Sequence, residues 1–295
     1  MRSKENVRGS VCMFVSSMLI WGTIGVFRKF IPVSSAFLAF SRGMLGGLFL
    51  LTFVLLKRKT AATKLRVRPA LALAVTGAAM GINWILLFEA YNHTTVAVAT
   101  LCYYMQPTIV MLLSPLIFRE KLTGRKTLCA VVSIVGMVLV SGVIGSANGP
   151  AGSAKGVILG LSAAVLYSAV VILNKRIEGV DAYRKTTIQL FSAGAVMMPY
   201  MILTDGFTAG GLSPVSAALL LVVDLLHTGI AYLLYFASLE KLKAQSAAIL
   251  SYIDPVSALL FSAVFLKEAM SAASIVGAVL IIGSAVLSET KVGSE

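Results

Sequence analysis

A chain of 295 residues in which 58% are hydrophobic and only 13% are charged has a mean hydropathy of +0.91. Soluble domains carry roughly a quarter of their residues as charges, so this chain has about half the usual number of solvating groups. The composition excludes a soluble globular protein. The net charge of +13 does not indicate a nucleic-acid partner, because the basic residues form short clusters between apolar runs rather than one basic face.

The apolar runs predict membrane-spanning helices. About 20 apolar residues suffice for one helix to cross a bilayer, and the runs lack the apolar–polar alternation of the strands in a membrane barrel. The first run, from Ser10 to Phe27, is too long for the apolar part of a signal peptide and has no clear cleavage site, so it is predicted to be retained. The patterns predict ten spans, at residues 10–31, 35–56, 70–91, 96–118, 126–144, 155–174, 186–204, 214–239, 244–266 and 271–288.

The positions of the basic residues predict the orientation of these spans. Of the 25 Lys and Arg residues, 20 lie at the two termini or in the loops after spans two, four, six and eight. The opposite loops hold four, which are Arg28, Lys29, Lys155 and Lys267, while Arg42 lies inside span two. Because cytoplasmic loops carry the excess of Lys and Arg, both termini are predicted to be cytoplasmic.

The chain is predicted to consist of two repeats, residues 1–145 and 155–295, joined by a linker at 146–154 that is rich in Gly, Ser and Ala. Pro107 and Glu120 recur 148 residues later as Pro255 and Glu268. Since each repeat has an odd number of spans, the second must be inverted, an arrangement common in secondary transporters. Close helix packing is predicted at three GxxxG pairs, Gly43/Gly47, Gly77/Gly81 and Gly156/Gly160.

Several further positions recur in the two repeats. The first repeat has Trp21-Gly22, Arg42, Ala90 and Tyr104-x-x-Pro107 followed by Glu120. In the second, Tyr167 takes the place of Trp21, Gln189 that of Arg42, and Tyr252-x-x-Pro255 with Glu268 repeats the fourth-span pattern. This set resembles the drug/metabolite transporter superfamily, specifically its ten-helix EamA-type members. The resemblance implies an all-α fold with two bundles around a central cavity, lined by spans one, three, four, six, eight and nine and operated by alternating access.

The candidate substrate-binding residues lie near the span centres. Gln106 and Asp254 each precede a proline that breaks its helix, where a polar side chain either binds substrate or satisfies the freed backbone. Aromatic residues normally collect at the membrane interfaces, so a central set indicates a wall that stacks flat or cationic substrates, with simple packing as the alternative. The aromatic candidates are Trp21, Trp84, Tyr104, Tyr167 and Tyr252, accompanied by Tyr103 and Tyr232.

Four ionisable residues inside the spans are candidates for ion coupling, because such groups are costly in lipid and usually face a cavity or a partner. Arg42 is either an anion clamp or part of a structural ion pair, and Glu89 is either a proton- or cation-binding group or an interfacial carboxylate. Asp224 and His227, three residues apart, are predicted to share a helix face as a proton relay, with an interhelical hydrogen bond as the alternative. Glu120 and Glu268 are predicted to pair with nearby Lys or Arg as structural anchors.

The sequence predicts a secondary transporter, without cofactor or metal, in the cytoplasmic membrane of a prokaryote. The predicted activity is export of small polar metabolites such as amino acids or organic amines, with protons as a candidate coupling ion. The alternatives are a channel, a lipid scramblase or flippase, and an importer of the same substrates. An enzyme is not expected because no catalytic constellation is present. The predicted partners are the small-molecule substrate and membrane lipids, and both a monomer and a homodimer remain open.

Overall fold

The structure is a computed structural model that describes residues 2–56, 66–94, 96–140, 154–204, 212–267 and 270–289, with the backbone alone at residues 2–6, 96–97 and 289. Glu268 and the predicted linker 146–154, apart from its last residue Ala154, therefore lie outside the described residues. Within the described ranges, the regular secondary structure is helical throughout.

Among the described residues, helices lie in each of the ranges that the sequence predicts as spans. In chain order they are α1 (Arg2–Gly22), α2 (Ile24–Arg28), α3 (Ser35–Leu56), α4 (Val67–His93), α5 (Val96–Tyr103), α6 (Gln106–Phe118), α7 (Gly124–Val140), α8 (Ala154–Arg176), α9 (Ala182–Thr204), α10 (Pro214–Val222), a π-helix (Val223–Ile230), α11 (Ala231–Leu239), α12 (Ala244–Ser251), α13 (Ile253–Leu266) and α14 (Ala272–Glu289). Several predicted spans are therefore built from two or three consecutive helical segments.

Among the described residues, eight helical stretches are long and apolar enough to cross a membrane. They coincide with predicted spans one to four and six to nine. The helices at the fifth and tenth spans, α7 and α14, are shorter, at 17 and 18 residues. The chain is thus an all-α multi-pass membrane protein, while the count of ten spans stays a prediction.

The fourth and ninth predicted spans are each interrupted. α5 ends at Tyr103 and α6 begins at Gln106, whereas α12 and α13 meet at Tyr252. Pro107 and Pro255 both lie in the first turn of the second segment. Proline is tolerated there because the first N–H groups of a helix have no partner within it, and its ring presets the helical backbone angle. Each proline therefore marks the restart of a broken helix.

The second segments of these two broken helices also end alike. Arg119, after α6, and Lys267, after α13, both have a φ of 56°. They are the only residues other than glycine with positive φ in the described part of the chain. A left-handed residue after the last turn is a common helix terminator, and its recurrence 148 residues later matches the spacing of the prolines.

The most extensive helix contacts join the first half of the chain to the second. α3 packs along α9, α4 along α8, α1 along α11, and α7 along α14. The backbones approach closely at glycines, as the GxxxG pairs predict: a methyl group at Gly43 would lie 2.8 Å from the Cα of Gly194, and one at Gly77 would lie 2.6 Å from the Cα of Gln189. The absence of a side chain is what permits this approach.

We predict that Gly77→Ala lowers the thermal stability of the detergent-solubilised protein. The added methyl group meets the backbone of α9, which cannot rotate away, so the helices must separate at a cost of about 1–3 kcal/mol. Gly283→Ala is the matched control, because it places a methyl group in open space within another helix. Equal melting temperatures for the two variants would contradict the close packing of α4 and α9.

Candidate functional site

Aromatic rings from five helical segments meet inside the bundle. Trp21 lies edge-on to Tyr232 at 4.8 Å and tilted to Tyr235 at 5.2 Å between ring centroids. Tyr103 stacks on Tyr167 at 6.0 Å. Tyr167 links the two groups of rings, because its hydroxyl bonds the side chains of Tyr232 and Tyr235. We call the Trp and Tyr residues of both groups the aromatic cluster; its members are Trp21, Trp84, Tyr103, Tyr104, Tyr167, Tyr232 and Tyr235. The structure thus brings together four of the five aromatic residues that the sequence singled out.

Tyr252, the fifth, lies outside the aromatic cluster. Its ring is buried in a hydrophobic group with Met137, Val256 and Ile281, against which Tyr104 also packs. Its hydroxyl is 2.7 Å from the Oγ1 atom of Thr108 in α6. Tyr252 therefore fastens the second helix break to the first rather than forming part of the central aromatic wall.

A second hydrogen bond joins the two helix breaks, and here the tyrosine lies beside the first break. The hydroxyl of Tyr104, beside the first break, donates to Oδ2 of Asp254 beside the second break, at 2.9 Å. Asp254 is half-buried, and no described Lys, Arg or His forms an ion pair with it. A carboxylate held by a single tyrosine hydroxyl keeps most of its capacity to accept hydrogen bonds. It is the strongest candidate in the site for contact with a ligand.

Gln106 occupies the position that corresponds to Asp254. Its side chain is 6% exposed, and the structure shows no hydrogen bond from its amide group to the described residues. Its backbone carbonyl accepts a hydrogen bond from Ser168 in α8 at 3.2 Å. The side-chain amide of Gln106 therefore keeps its hydrogen-bonding capacity, as a ligand-binding group would.

Arg42 connects the aromatic cluster to the π-helix. Its guanidinium lies 5.5 Å from the centre of the Trp84 ring, which is cation–π geometry. Its Nε atom donates to Oγ1 of Thr228 at 2.8 Å. No acidic residue among the described side chains forms an ion pair with Arg42, although it acts electrostatically on Asp224. The terminal guanidinium nitrogens are therefore left for another acceptor.

Asp224 and His227 do not form the pair that their spacing predicts. In a π-helix the backbone hydrogen bonds run from residue i to i+5, so the side-chain register of an α-helix is lost. Ser41 in α3 donates to Oδ1 of Asp224 at 3.2 Å, and Nε2 of His227 is 2.7 Å from the hydroxyl of Thr23. Both residues are fully buried, and Oδ2 of Asp224 has no hydrogen-bond partner among the described residues. Each residue binds a different helical segment.

Glu89 lies apart from the aromatic cluster, at the far end of α4. Tyr200 in α9 donates to its Oε1 atom at 2.7 Å, and His93 is 3.9 Å from its Oε2 atom. The carboxylate lines a cavity of about 260 Å³ between the ends of α3, α4 and α9. Its other walls are Ser34, Ser35, Ala36, Phe88, Tyr91, Asn92, Tyr200 and Thr204.

No described Lys or Arg makes the ion pair that the sequence predicts for Glu120. Its two carboxylate oxygens accept the backbone N–H groups of Ala244, at 2.9 Å, and Gln245, at 3.3 Å. These are the first two residues of α12, whose amides have no partner within the helix. A negative charge is favoured there by the helix dipole. Glu120 thus caps a helix of the other half of the chain.

The sequence did not single out the neutral hydroxyls of this site. Thr23, Ser41 and Thr228 hold His227, Asp224 and Arg42 respectively. Serine and threonine are frequent in membrane helices, where they often bond their own backbone, so their identity alone does not reveal a partner. The signal that could have found them is their position opposite an ionisable residue, and that position depends on the packing of the helices.

Gln189, which corresponds to Arg42 in the second repeat, has a structural role in a buried chain of amide hydrogen bonds. Its Nε2 atom donates to the hydroxyl of Thr76 at 2.9 Å, and its Oε1 atom accepts from Nδ2 of Asn174 at 3.0 Å. All three side chains are at most 1% exposed. This chain ties α4, α9 and α8 together away from the aromatic cluster.

Apolar helices that enclose an aromatic cluster with a carboxylate at one edge and a guanidinium at another define a multi-pass membrane protein with an internal polar site. The sequence pattern of the EamA-like transporter family matches residues 8–142 and again residues 154–290. The chain belongs to this family. The recognition of an EamA-type member of the drug/metabolite transporter superfamily is therefore confirmed.

Individual relatives agree with this assignment. The chain is 29% identical to the uncharacterized transporter YxxF of Bacillus subtilis, over 89% of this chain and 84% of that one. It is 28% identical to protein PecM of Dickeya dadantii, over 70% and 69% of the two chains. A solved crystal structure superposes with a TM-score of 0.81 at 19% identity, covering 94% of this chain and 97% of the other, which shows that the fold is shared.

We predict that Arg42→Met destabilises the protein because it removes the positive charge that acts on the buried Asp224. The double variant Arg42→Met/Asp224→Asn should recover part of the loss, with a coupling of about 0.5–3 kcal/mol, typical of residues in one buried network. Thermal unfolding of the four purified proteins measures this coupling. Strictly additive effects would show that Arg42 and Asp224 are energetically independent.

Proposed function

We propose that this protein is a secondary transporter that exports small polar metabolites, such as amino acids or organic amines, across the cytoplasmic membrane of a prokaryote. Membership in the EamA-like transporter family supports transport as the activity. The two relatives named above come from bacteria, which supports the cellular setting. The choice of substrate class rests on the chemistry of the central site.

The observation that carries the proposal is the carboxylate of Asp254 beside the aromatic cluster. It lies at a helix break, bonds only the hydroxyl of Tyr104, and has no cationic partner among the described residues. A charged side chain costs about 2.5–3.5 kcal/mol at the centre of a membrane helix. An ammonium group of the substrate would offset this cost, and the rings of Tyr103 and Tyr167 would receive the cation by cation–π attraction.

Arg42 supplies the opposite charge for a zwitterionic substrate. Tyr232 lies within electrostatic range of both Arg42 and Asp254, so groups of opposite charge both act on the aromatic cluster. Nε of Arg42 is bound to Thr228, and the ring of Trp84 holds the guanidinium. The terminal nitrogens form the planar fork that suits a carboxylate. An amino acid would span the two charges, and a simple amine would use Asp254 alone.

Alternating access between two inverted five-helix repeats is the proposed mechanism. In this arrangement ten spans place both termini in the cytoplasm, and the repeats rock about a site near the bilayer midplane. Support comes from the matched helix breaks, from the hydrogen bonds that link them, and from the pairing of helices across the two halves. Asp254 would then face each side of the membrane in turn.

We expect Asp254→Asn to slow transport of an amino acid or organic amine by at least about tenfold. The neutral amide keeps the size of the side chain but loses the charged hydrogen bond to the substrate. Such a bond contributes about 1.5–3 kcal/mol. The measurement is uptake of radiolabelled substrate into liposomes containing the purified protein. Asp181→Asn is the matched control, since Asp181 is exposed in the turn before α9.

Substrate binding can be followed independently of transport, because both tryptophans of the chain, Trp21 and Trp84, belong to the aromatic cluster. A ligand in the central site should change the intrinsic fluorescence with a saturable dependence on concentration, and Asp254→Asn should weaken this response. Saturable flux with trans-stimulation supports a carrier. Transport at the wild-type rate by the Asp254→Asn variant would refute the proposed site. Flux without saturation would refute the proposed carrier mechanism.

For proton coupling we propose Asp224 as the group that binds the proton. Its Oδ2 atom is buried and has no hydrogen-bond partner in the described part of the chain, and Ser41 and Arg42 are polar neighbours of Asp224. Asp224→Asn should abolish acceleration of transport by an imposed pH gradient while leaving exchange at equal pH intact. A pH-sensitive dye inside the liposomes reports the proton flux. A wild-type response to the gradient would exclude Asp224 as the coupling residue.

A further inference from the structure

Four helices that border the central site meet again at one end of the bundle. α6 begins beside the first helix break, α12 ends at the second, and α8 and α11 carry members of the aromatic cluster. Away from the site, α6 ends at Phe118, α8 ends at Arg176, and a turn at 240–243 joins α11 to α12. At 1.5 Å per residue, these ends lie roughly 10–20 Å from the site. The basic loops predict that this side of the protein is cytoplasmic.

Two cations at the end of α8 bond the ends of the neighbouring helices. Nζ of Lys175 donates to the carbonyl oxygen of Leu239, the last residue of α11, at 3.2 Å, and to that of Leu242. Arg176 donates to the carbonyl oxygen of Ile117 in the last turn of α6, at 2.6 Å. The last carbonyls of a helix have no partner within it and favour a positive charge. The end of α8 is thus bonded to α11 and, across the two halves of the chain, to α6.

Phe118 and Glu120 complete these contacts from the first half of the chain. The centre of the Phe118 ring lies 5.7 Å from Nζ of Lys175 and 6.0 Å from the guanidinium carbon of Arg176, which are cation–π distances. Glu120, which caps α12, also acts electrostatically on Lys175. We call Phe118, Glu120, Lys175 and Arg176 the cytoplasmic-end cluster.

Buried side chains lie along the helices between the cytoplasmic-end cluster and the central site. Phe236 and Leu239 follow Tyr232 along α11, and Ala247 precedes Tyr252 along α12. Phe236, Leu239 and Ala247 are at most 2% exposed and belong to the main hydrophobic core. This end of the bundle is therefore packed closed.

The opposite end of the bundle is more open. There the ends of α3, α4 and α9 leave the cavity of about 260 Å³ that is lined by Glu89, whose side chain is 33% exposed. Arg28 lies at the end of the first span of its half of the chain, as Lys175 does in the second half. Arg28 donates to the carbonyl oxygens of Ile31 and Val33 in the adjoining loop. At the open end the cation thus bonds its own loop, whereas at the closed end Lys175 bonds a second helix.

We propose that the cytoplasmic-end cluster is the cytoplasmic gate of the transporter, and that the gate is closed in this structure. The inference rests on the proposed alternating access, in which the two ends of the bundle open in turn. For the central site to reach the cytoplasm, α6 must move away from α8 and α12. This movement breaks the bond of Arg176 to Ile117, the contacts of Phe118 and the cap that Glu120 forms on α12. Lys175 stabilises the closed state because it holds Phe118 and the end of α11 at once.

The test is carboxylate labelling of the purified full-length protein with a water-soluble carbodiimide and glycine ethyl ester, read by mass spectrometry of its peptides. Lys175→Met removes the cation and keeps an apolar side chain. Glu120 should then be labelled about fivefold faster, the factor that corresponds to about 1 kcal/mol for one net hydrogen bond. Glu89 should be labelled more slowly, because the opposite end closes as the gate opens. Glu178, exposed in the turn after α8, is the internal control and should keep its rate.

Two further variants separate a gate from a contact that only stabilises the fold. Phe118→Leu removes the ring that both cations face and should change the labelling of Glu120 and Glu89 in the same directions as Lys175→Met. Lys243→Met is the matched control, because Lys243 is exposed at the same end and lies outside the cytoplasmic-end cluster. It should leave both rates at the wild-type value.

The gate and the proposed transport activity fail in different measurements. Wild-type labelling of Glu120 in both Lys175→Met and Phe118→Leu would overturn the gate. Faster labelling of Glu120 without slower labelling of Glu89 would also overturn it, since a purely structural contact has no effect on the opposite end. Labelling does not depend on flux, whereas the carrier mechanism is refuted by unsaturable flux in liposomes.

Discussion

The interior of a bilayer offers no hydrogen bonds, so the backbone groups that the chain carries into it must find partners within the protein, and a charged side chain needs a partner or a cavity. This constraint explains the helical fold, and it also explains the arrangement of the charges. Asp254 takes the hydroxyl of Tyr104, and Arg42 takes the hydroxyl of Thr228 and the face of Trp84. Each charged group is held by neutral partners rather than by an opposite charge. Such partners stabilise the charge but leave it able to attract a ligand.

The same constraint applies where the helices are broken. A break exposes backbone groups and places side chains at an angle to the helix axis, and lipid cannot solvate either. The side chains beside the two breaks bond one another: the hydroxyl of Tyr104 donates to Asp254, and the hydroxyls of Tyr252 and Thr108 share a hydrogen bond. Proline at the restart of each helix presets the backbone there. The breaks thus form one connected polar centre shared by both halves of the chain, next to the aromatic cluster.

Away from the site, the two halves are joined by contacts of other kinds. Glycines allow α3 to approach α9, a buried amide chain through Gln189 links α4, α8 and α9, and Glu120 caps α12 across the boundary between the halves. The amide chain through Gln189 joins neutral groups only. Glu120 places one charge at the end of a helix, without an ion pair to the described residues. Contacts that do not depend on a matched pair of charges avoid the double desolvation penalty of an ion pair in a low-dielectric medium.

The sequence alone determined the helical class, the positions of the helices and the sites of the breaks, because apolar length and proline act locally along the chain. It also identified the residues of the aromatic cluster other than Tyr235. Only the tertiary structure decided which side chains meet. The π-helix separated Asp224 from His227, and Tyr252 was packed outside the aromatic cluster. Partners such as Thr228 come from helices distant in sequence, and their choice depends on how the helices rotate and pack, which no local pattern encodes.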